Sequence, residues 1–335
     1  MVSDNPKIPA KKRILSGVKP TGKAHLGNYL GAMKNHVDMQ NEYESYIFIA
    51  DLHSLISVKD PKTLQVLLTD LALDYLALGL DPKKAVFFRQ SDIREHSELT
   101  WILNCVTPMG MLELAHAYKD AVAKGAKDIN VGLFDYPVLM AVDILIYKPD
   151  LVPVGKDQKQ HVEIARDIAG KFNRTFGEVF KIPAPYIPEE VAVVIGTDGQ
   201  KMSKSYGNII EIFAPEKQLK KQIMGVVTDS TPLEQPKDPS KDNVYKLYSY
   251  FATPEEKKSL ADRYRAGGFG YGDAKKMLLE KVINHFKPFR EKREDLKNNL
   301  DYVKDVLKDG AKRAREVASK TKEEVWEATG LNLFK

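Results

Sequence analysis

The residue pattern predicts an α/β fold: a Rossmann-like parallel sheet with helices on both faces, followed by an α-helical C-terminal domain. Three observations predict it. Through the first half, short apolar runs alternate with helix-length amphipathic stretches, the order of βαβ units. Two of the runs pass through a glycine-bearing turn into a helix, once after Leu15 and once after Val154. Beyond Pro215 the strand-like runs stop and helical periodicity takes over.

Taken in order, residues 1–12 are polar with two prolines and read as a flexible extension. Ile14-Leu15 begins the first strand of a domain predicted to span 13–214. Gly17, Pro20 and Gly22 make a turn, and His25 opens an amphipathic run through Gln40. Free backbone N–H groups and the positive helix end make such a start an anion site. Gly27 would let a nucleotide approach the backbone closely. Alone, His25 reads first as a packed or capping histidine.

Tyr46 to Asp51 reads as a buried strand, and Ala85 to Gln90 as another. The stretch Pro61 to Leu78 between them has helical spacing, proline in its first turn and a stop at Gly79. In such a sheet, ligands bind at the C-terminal strand edge near the topological switch. The early turn and Asp51-Leu52-His53 would lie there.

Residues 91–148 read as mostly helical, with a long apolar run from Val131 to Tyr147. Leu151 to Val154 is a short strand, ending in Gly155-Lys156-Asp157-Gln158 before a helix from Gln160 to Phe172. That turn suits ribose and phosphate, although helix capping is the commoner role for Asp157 or Gln158. Residues 181–190 are proline-rich and read as irregular, and Val191 to Ile195 as a last strand. In the predicted C-terminal domain, 215–335, an exposed loop from Asp229 to Asp242 interrupts the helices. Further helices are expected at 257–265, 274–286, 289–298, 302–318 and 322–329.

The bulk numbers narrow the function classes. A chain of 335 residues holds two domains and a substantial core. With 43% apolar and 29% charged residues it is an ordinary globular composition. No apolar run reaches a membrane span and no secretory signal is visible, so a cytoplasmic location is expected. Cys105 is the one cysteine, which excludes an internal disulfide and a cysteine-built metal site. Net charge is +5, and residues 281–320 carry twelve Lys/Arg against seven Asp/Glu. This basic segment suits a polyanion such as RNA. A solvated helical face with i,i+4 pairs has the same composition.

The densest chemistry lies in Lys201-Met202-Ser203-Lys204-Ser205, flanked by Gly196, Gly199 and Gly207. Two ammonium groups on a mobile loop can close over a triphosphate and follow its charge as pyrophosphate leaves. The plain alternative is a solvated basic loop.

Paired with His25-Leu26-Gly27-Asn28, this stretch resembles the two signature motifs of class I aminoacyl-tRNA synthetases. Asn28 departs from the final His of the general motif, but Gly-Asn is common there in the tryptophan branch. Tyr136 to Leu145, Val152 to His161, Val227 to Ser230 and Asp309 to Ala318 also resemble that branch. The resemblance covers nearly the whole chain after residue 12.

The resemblance implies ATP-dependent activation of L-tryptophan to tryptophanyl-adenylate, then transfer to tRNA(Trp). It implies RNA and not DNA as partner. A homodimer would make its contacts through 91–148, and 215–335 would bind the anticodon. His25, Lys201 and Lys204 become the catalytic groups. The ATP site comprises Lys19, Pro20 and Thr21 in the turn, then His25, Gly27 and Asn28 at the helix start. Gly155, Lys156 and Asp157 lie against the ribose, and Lys201, Met202, Ser203, Lys204 and Ser205 form the loop. The tryptophan site takes Leu15 and Gly17, then Tyr136, Met140, Asp143 and Ile144, then Val152, Val154 and Gln158.

A buried carboxylate such as Asp143 needs a partner, and the indole N–H is a donor with no acceptor function. The resemblance makes Asp143 its acceptor; a structural hydrogen bond inside the core is the other use. A polar handle of this kind discriminates by about 10⁴–10⁵, so no editing domain is needed. Mg²⁺ would arrive with ATP, since no carboxylate cage is evident and no metal site is expected. Lys19 and Lys156 stand where relatives often have Gln and an acid, adding positive charge beside the triphosphate. Three other readings stand beside this one: a tyrosyl-type enzyme, a ligase or nucleotidyltransferase activating another carboxylate, and a non-catalytic RNA-binding descendant.

Lys204→Ala is expected to lower the adenylation rate far more than it weakens tryptophan binding. Pyrophosphate exchange compared with a tryptophan titration checks this, and equal losses would contradict a transition-state role.

Overall fold

Among the described residues, five strands form one parallel sheet: β1 (Arg13–Val18), β2 (Glu44–Ile49), β3 (Ala85–Arg89), β4 (Leu151–Pro153) and β5 (Ala184–Tyr186). Their spatial order is β3-β2-β1-β4-β5. The molecule is seen in a computed structural model that describes residues 11–125, 129–155, 158–187 and 193–333. The chain builds outward from β1 through β2 to β3, then returns to add β4 on the other side of β1. This reversal opens a crevice at the C-terminal ends of β1 and β4, the usual ligand position in such sheets. Alternation sends Ile47, Ile49 and Phe87 to one face, and Tyr46, Phe48 and Phe88 to the other.

After β1, α1 (Leu26–Asn28) runs through a π turn at Tyr29–Met33 into α2 (Lys34–Met39). A short α3 (Asp51–Ser54) follows β2 directly. Next, α4 (Pro61–Ala77) starts as predicted, with Pro61 in its first turn and Asp60 accepting from the Thr63 N–H. The region after β3 forms α5 (Glu95–Asn104), α6 (Met109–Glu113), α7 (His116–Ala123) and α8 (Val131–Leu145). The helix after β4, α9 (Lys159–Phe176), packs on α8. The remaining helices are α10 (Glu216–Met224), α11 (Asn243–Ser249), α12 (Pro254–Ala266), α13 (Tyr271–Lys297) and α14 (Leu300–Thr329). Those from α10 to α13 share a core with α4 and one sheet face, whereas α5, α8 and α9 pack on the other face.

Four expectations change. Residues 184–186, read as irregular, pair with β4 as the outer strand β5. Proline is tolerated there because an edge strand has one side without ladder bonds. Of the expected strand at 191–195, Val191 and Ala192 lie outside the described residues, and Ile195 pairs with Lys201 in a hairpin and not with the sheet. Four helices expected after residue 273 are two. Pro288 sits inside α13 at an exposed position, where water can bond the freed carbonyl. Thr321 lies on the buried stripe of α14 and carries that helix through the expected break. Finally, the loop from Asp229 to Asp242 is pinned. The buried Lys237 ammonium donates to the carbonyls of Pro232, Leu233 and Gln235, and buried Asp242 caps α11.

The last helix returns to the sheet. Ala314, Ala318 and Val325 of α14 join the core formed with α5, α8 and α9. Arg313 donates to the carbonyls of Pro82 and Ala85 at the free edge of β3. At Gly310 the helix meets the strand backbone, since a Cβ there would fall 1.8 Å from the Phe87 carbonyl oxygen. The helix thereby covers an edge that would otherwise present open hydrogen-bonding groups.

Gly310→Ala is expected to destabilise the fold by about 1–3 kcal/mol through overpacking, although alanine is the better helix former by ~1 kcal/mol. A lower urea midpoint checks it; an unchanged or higher midpoint would mean that α14 can lift without cost.

Candidate active site

The switch crevice holds a cavity of about 520 Å³. Leu15 and Gly17 come from β1, and Val152 and Val154 from β4 and the residue just after it. Phe48 lies beside them, and a Cβ on Gly17 would sit 2.4 Å from its ring. Only glycine lets the aromatic ring approach the strand so closely. Tyr136, Met140, Asp143 and Ile144 line the wall from α8, spaced to share one helical face. Gln158, at the start of α9, completes the lining. The cavity thus brings together every residue expected to hold the amino acid.

Asp143 is a buried carboxylate with three protein donors. His53 Nε2 donates to Oδ2 at 2.7 Å, while Gln90 Nε2 and His96 Nδ1 donate to Oδ1 at 2.6 and 2.5 Å. His96 Nε2 lies 2.7 Å from the Tyr147 hydroxyl, which donates to it when Nδ1 carries the proton. Burial alone would push the Asp143 carboxyl up. Hydrogen bonds from His53 and His96 outweigh that and bring it down to about 2. The side chain is therefore an anion at neutral pH. Oδ1 is saturated, whereas Oδ2 has room for one more donor. The structural bonds and an indole acceptor are compatible uses of one group.

Lys19 and Gly155 line the same cavity, so the apolar end is continuous with the glycine turn. There His25 caps α1: its Nδ1 accepts from the Asn28 N–H, and Asn28 Oδ1 accepts from the His25 N–H. Burial, with the charge of Lys204, lowers the His25 pKa to about 4. The ring is neutral at pH 7, and accepting at Nδ1 leaves its proton on Nε2. The capping role is present, and it turns an N–H donor outward from the cap.

The lysine loop meets this turn directly. Buried Met202 Sδ accepts from the Gly27 N–H at 3.3 Å. Lys204 Nζ donates to the Thr21 carbonyl at 2.8 Å, and Pro20 is buried behind the turn. Lys201 and Ser205 are exposed, and Ser203 Oγ accepts from the Ser205 N–H. Asn208 closes the loop. Its Nδ2 donates to Asp198 Oδ1 and the Lys201 carbonyl, and its Oδ1 accepts from the Ser203 N–H. Lys156 and Asp157 lie outside the described residues.

A family model described as tRNA synthetases class I (W and Y) matches residues 9–287. The chain belongs to this family. Its relatives include the tryptophan–tRNA ligase of Fusobacterium nucleatum, 54% identical over 96% of this chain and 98% of that protein. The ligase of the same name from Rhodopirellula baltica is 53% identical over 92% and 96%. Among solved structures, tryptophanyl-tRNA synthetase from Campylobacter jejuni, complexed with ADP and tryptophan, superimposes with a TM-score of 0.91. It is 50% identical and the match covers 95% of this chain and 99% of that one.

Membership of the family explains why the two motifs meet, but several groups at this synthetase site had no local sequence signal. Gln90 and His96 orient Asp143 from 53 and 47 residues away. His53 was placed at the ligand edge of the sheet by its position after β2, but nothing in the sequence linked it to Asp143. Asn208 follows the lysine motif closely, yet nothing in its type announces that its side chain makes three hydrogen bonds. No group of three or more His, Cys, Asp or Glu among the described residues could hold a metal.

Asn208→Ala is expected to reduce the adenylation rate by up to ~100-fold through misplacement of both loop lysines, with tryptophan affinity changed less than about twofold. Pyrophosphate exchange and calorimetric titration with tryptophan check this; a parallel loss of affinity would mean that the staple supports the whole cavity.

Proposed function

We propose that the protein activates L-tryptophan with ATP and transfers it to tRNA(Trp). The observation that carries this reading is a cavity with an ionised, buried Asp143 at its apolar end and Lys19 and Gly155 at its other end, beside the glycine turn on which Lys204 rests and after which His25 caps α1. The names of the relatives and the ADP–tryptophan complex of the Campylobacter jejuni structure support it.

The indole enters between Leu15, Met140 and Val152, and its N–H donates to Asp143 Oδ2. Tyr136 and Gln158 hold the ammonium end. A carboxylate oxygen of tryptophan attacks the α-phosphorus of ATP. The new O–P bond forms as the bond to the β-phosphate oxygen breaks, and the electron pair leaves with pyrophosphate. The nucleophile belongs to the substrate, so the protein supplies position and charge. Lys201 and Lys204 neutralise the departing pyrophosphate, Ser203 donates to it, and His25 Nε2–H donates to a phosphate oxygen. Gly27 and Asn28 give the nucleotide a close backbone path, and Gly155 and Asp157 take the ribose. A terminal ribose hydroxyl of tRNA then attacks the activated carbonyl, and AMP leaves.

Mg²⁺ comes with the nucleotide. The nearby carboxylates are in use: Asp74 pairs with Arg293, Asp198 with Asn208, and Glu211 with Gln218 and Lys23. The tRNA lies along the basic surface of 215–335. Part of that charge pairs locally, as in Lys304–Asp301 and Lys308–Asp305, while Lys312 and Lys320 remain exposed. A second copy covers the exposed Trp101, Met109, Leu114 and Val131 of the α5–α8 region. No described helix is long and apolar enough to cross a membrane, and the protein works in the cytoplasm.

Exchange of labelled pyrophosphate into ATP, run with tryptophan, tyrosine or neither, tests the reading. Exchange with tryptophan alone is expected. Exchange driven by tyrosine would reassign Asp143, and none with either would rule out the activation step.

A further inference from the structure

Two of the three donors that align Asp143 belong to one short segment. Gln90 and His96 bracket residues 90–96, between the end of β3 and the first turn of α5. No side-chain cap fixes the start of α5, so its orientation must come from tertiary contacts. They come from opposite sides. Toward the sheet, Asp51 accepts from the Ser91 N–H at 2.9 Å and from its hydroxyl at 2.5 Å. On the other side, Glu95 Oε1 accepts from Arg315 Nε and from Ser319 Oγ, each at 3.0 Å. Arg315 and Ser319 lie one turn apart on α14.

Glu95 is the residue before His96, and its side chain is 1% exposed. Its second oxygen is buried without a hydrogen-bond partner. A buried carboxylate so placed cannot move off its donors without becoming an unpaired charge. It is therefore a stiff tether, and the peptide beyond it carries the imidazole that bonds Asp143.

We infer that Arg315 and Ser319 are positioning residues for the indole acceptor: α14 grips Glu95 so that His96 and Gln90 hold Asp143 aimed at an indole N–H. This rests on the proposed tryptophan site. Neither residue touches substrate. Their loss frees the first turn of α5, and the Asp143 carboxylate loses its fixed plane. A ligand that donates to Asp143 then suffers more than one of the same shape that does not.

The test is pyrophosphate exchange on the full chain, with tryptophan and with benzothienylalanine, whose sulfur replaces the N–H. Arg315→Ala and Ser319→Ala are expected to raise the KM for tryptophan by about tenfold, leave that for ATP within about twofold, and shrink the preference for tryptophan over the analogue. Arg315→Lys should recover part of the loss. Lys322→Ala is the control: it breaks the Lys322–Glu98 pair at 3.1 Å in the same helix interface and should leave both KM values unchanged. An unaltered tryptophan KM and selectivity in Ser319→Ala and Arg315→Ala would overturn the inference, as would an equal shift in Lys322→Ala. Should Arg315→Ala not fold, Ser319→Ala decides. Absence of tryptophan-dependent exchange in the unsubstituted protein would instead overturn the reading of the site itself, and the inference with it.

Discussion

The buried carboxylate of Asp143 is the group around which the C-terminal edge of the sheet is arranged. Asp143 is bonded from α3 and, twice, from the segment that joins β3 to α5, so two segments distant in sequence converge on α8. An ion in this setting is strongly unfavourable unless its donors are held rigidly. Holding them rigidly also fixes the shape of the cavity. Because folding favours the charged form, its stabilising contribution is full at neutral pH. That contribution is lost as pH falls from 3.8 through about 2.

The glycine turn beside the cavity, and the lysine loop that meets it, follow a different logic. The lysine loop is attached at its interior points, Met202 under Gly27 and Asn208 across the hairpin. Lys201 remains at the surface, and Lys204 rests on the Thr21 carbonyl. That contact is to a neutral oxygen, and a phosphate is a stronger partner for an ammonium group. The arrangement combines a fixed hinge with cations that can transfer to a ligand. The amino-acid end, by contrast, is built of packed helix and strand, which suits selection by shape and by one hydrogen bond.

Much of this was legible in the sequence. Tyr136, Met140, Asp143 and Ile144 were reached through the resemblance to the tryptophan branch, whereas the glycine turn after β1 announces an anion site by type. His96 and Gln90 did not show themselves, because a polar network between residues some fifty positions apart leaves no periodic trace. The proline-rich β5 was hidden for a related reason: proline argues against a strand until the strand is known to be at an edge. Likewise Pro288 and Thr321 look like helix breaks locally, but burial on one side and solvent on the other decide that the helices continue. The capping by His25 was the more modest of its two readings and is present in the fold. It sets the tautomer on which a phosphate contact would depend.

The return of α14 to β3 bears on how the molecule is made. Arg313 reaches Pro82 across 231 residues of sequence, so the outer strand is synthesised long before the helix that covers it. Contacts of such separation form late and slow the folding of a chain. Until they form, an emerging polypeptide carries a bare strand edge of the kind that pairs with neighbouring chains. The early half of the protein thus keeps an open edge until its last helix has been made, and Gly310 is the point at which that exposure ends.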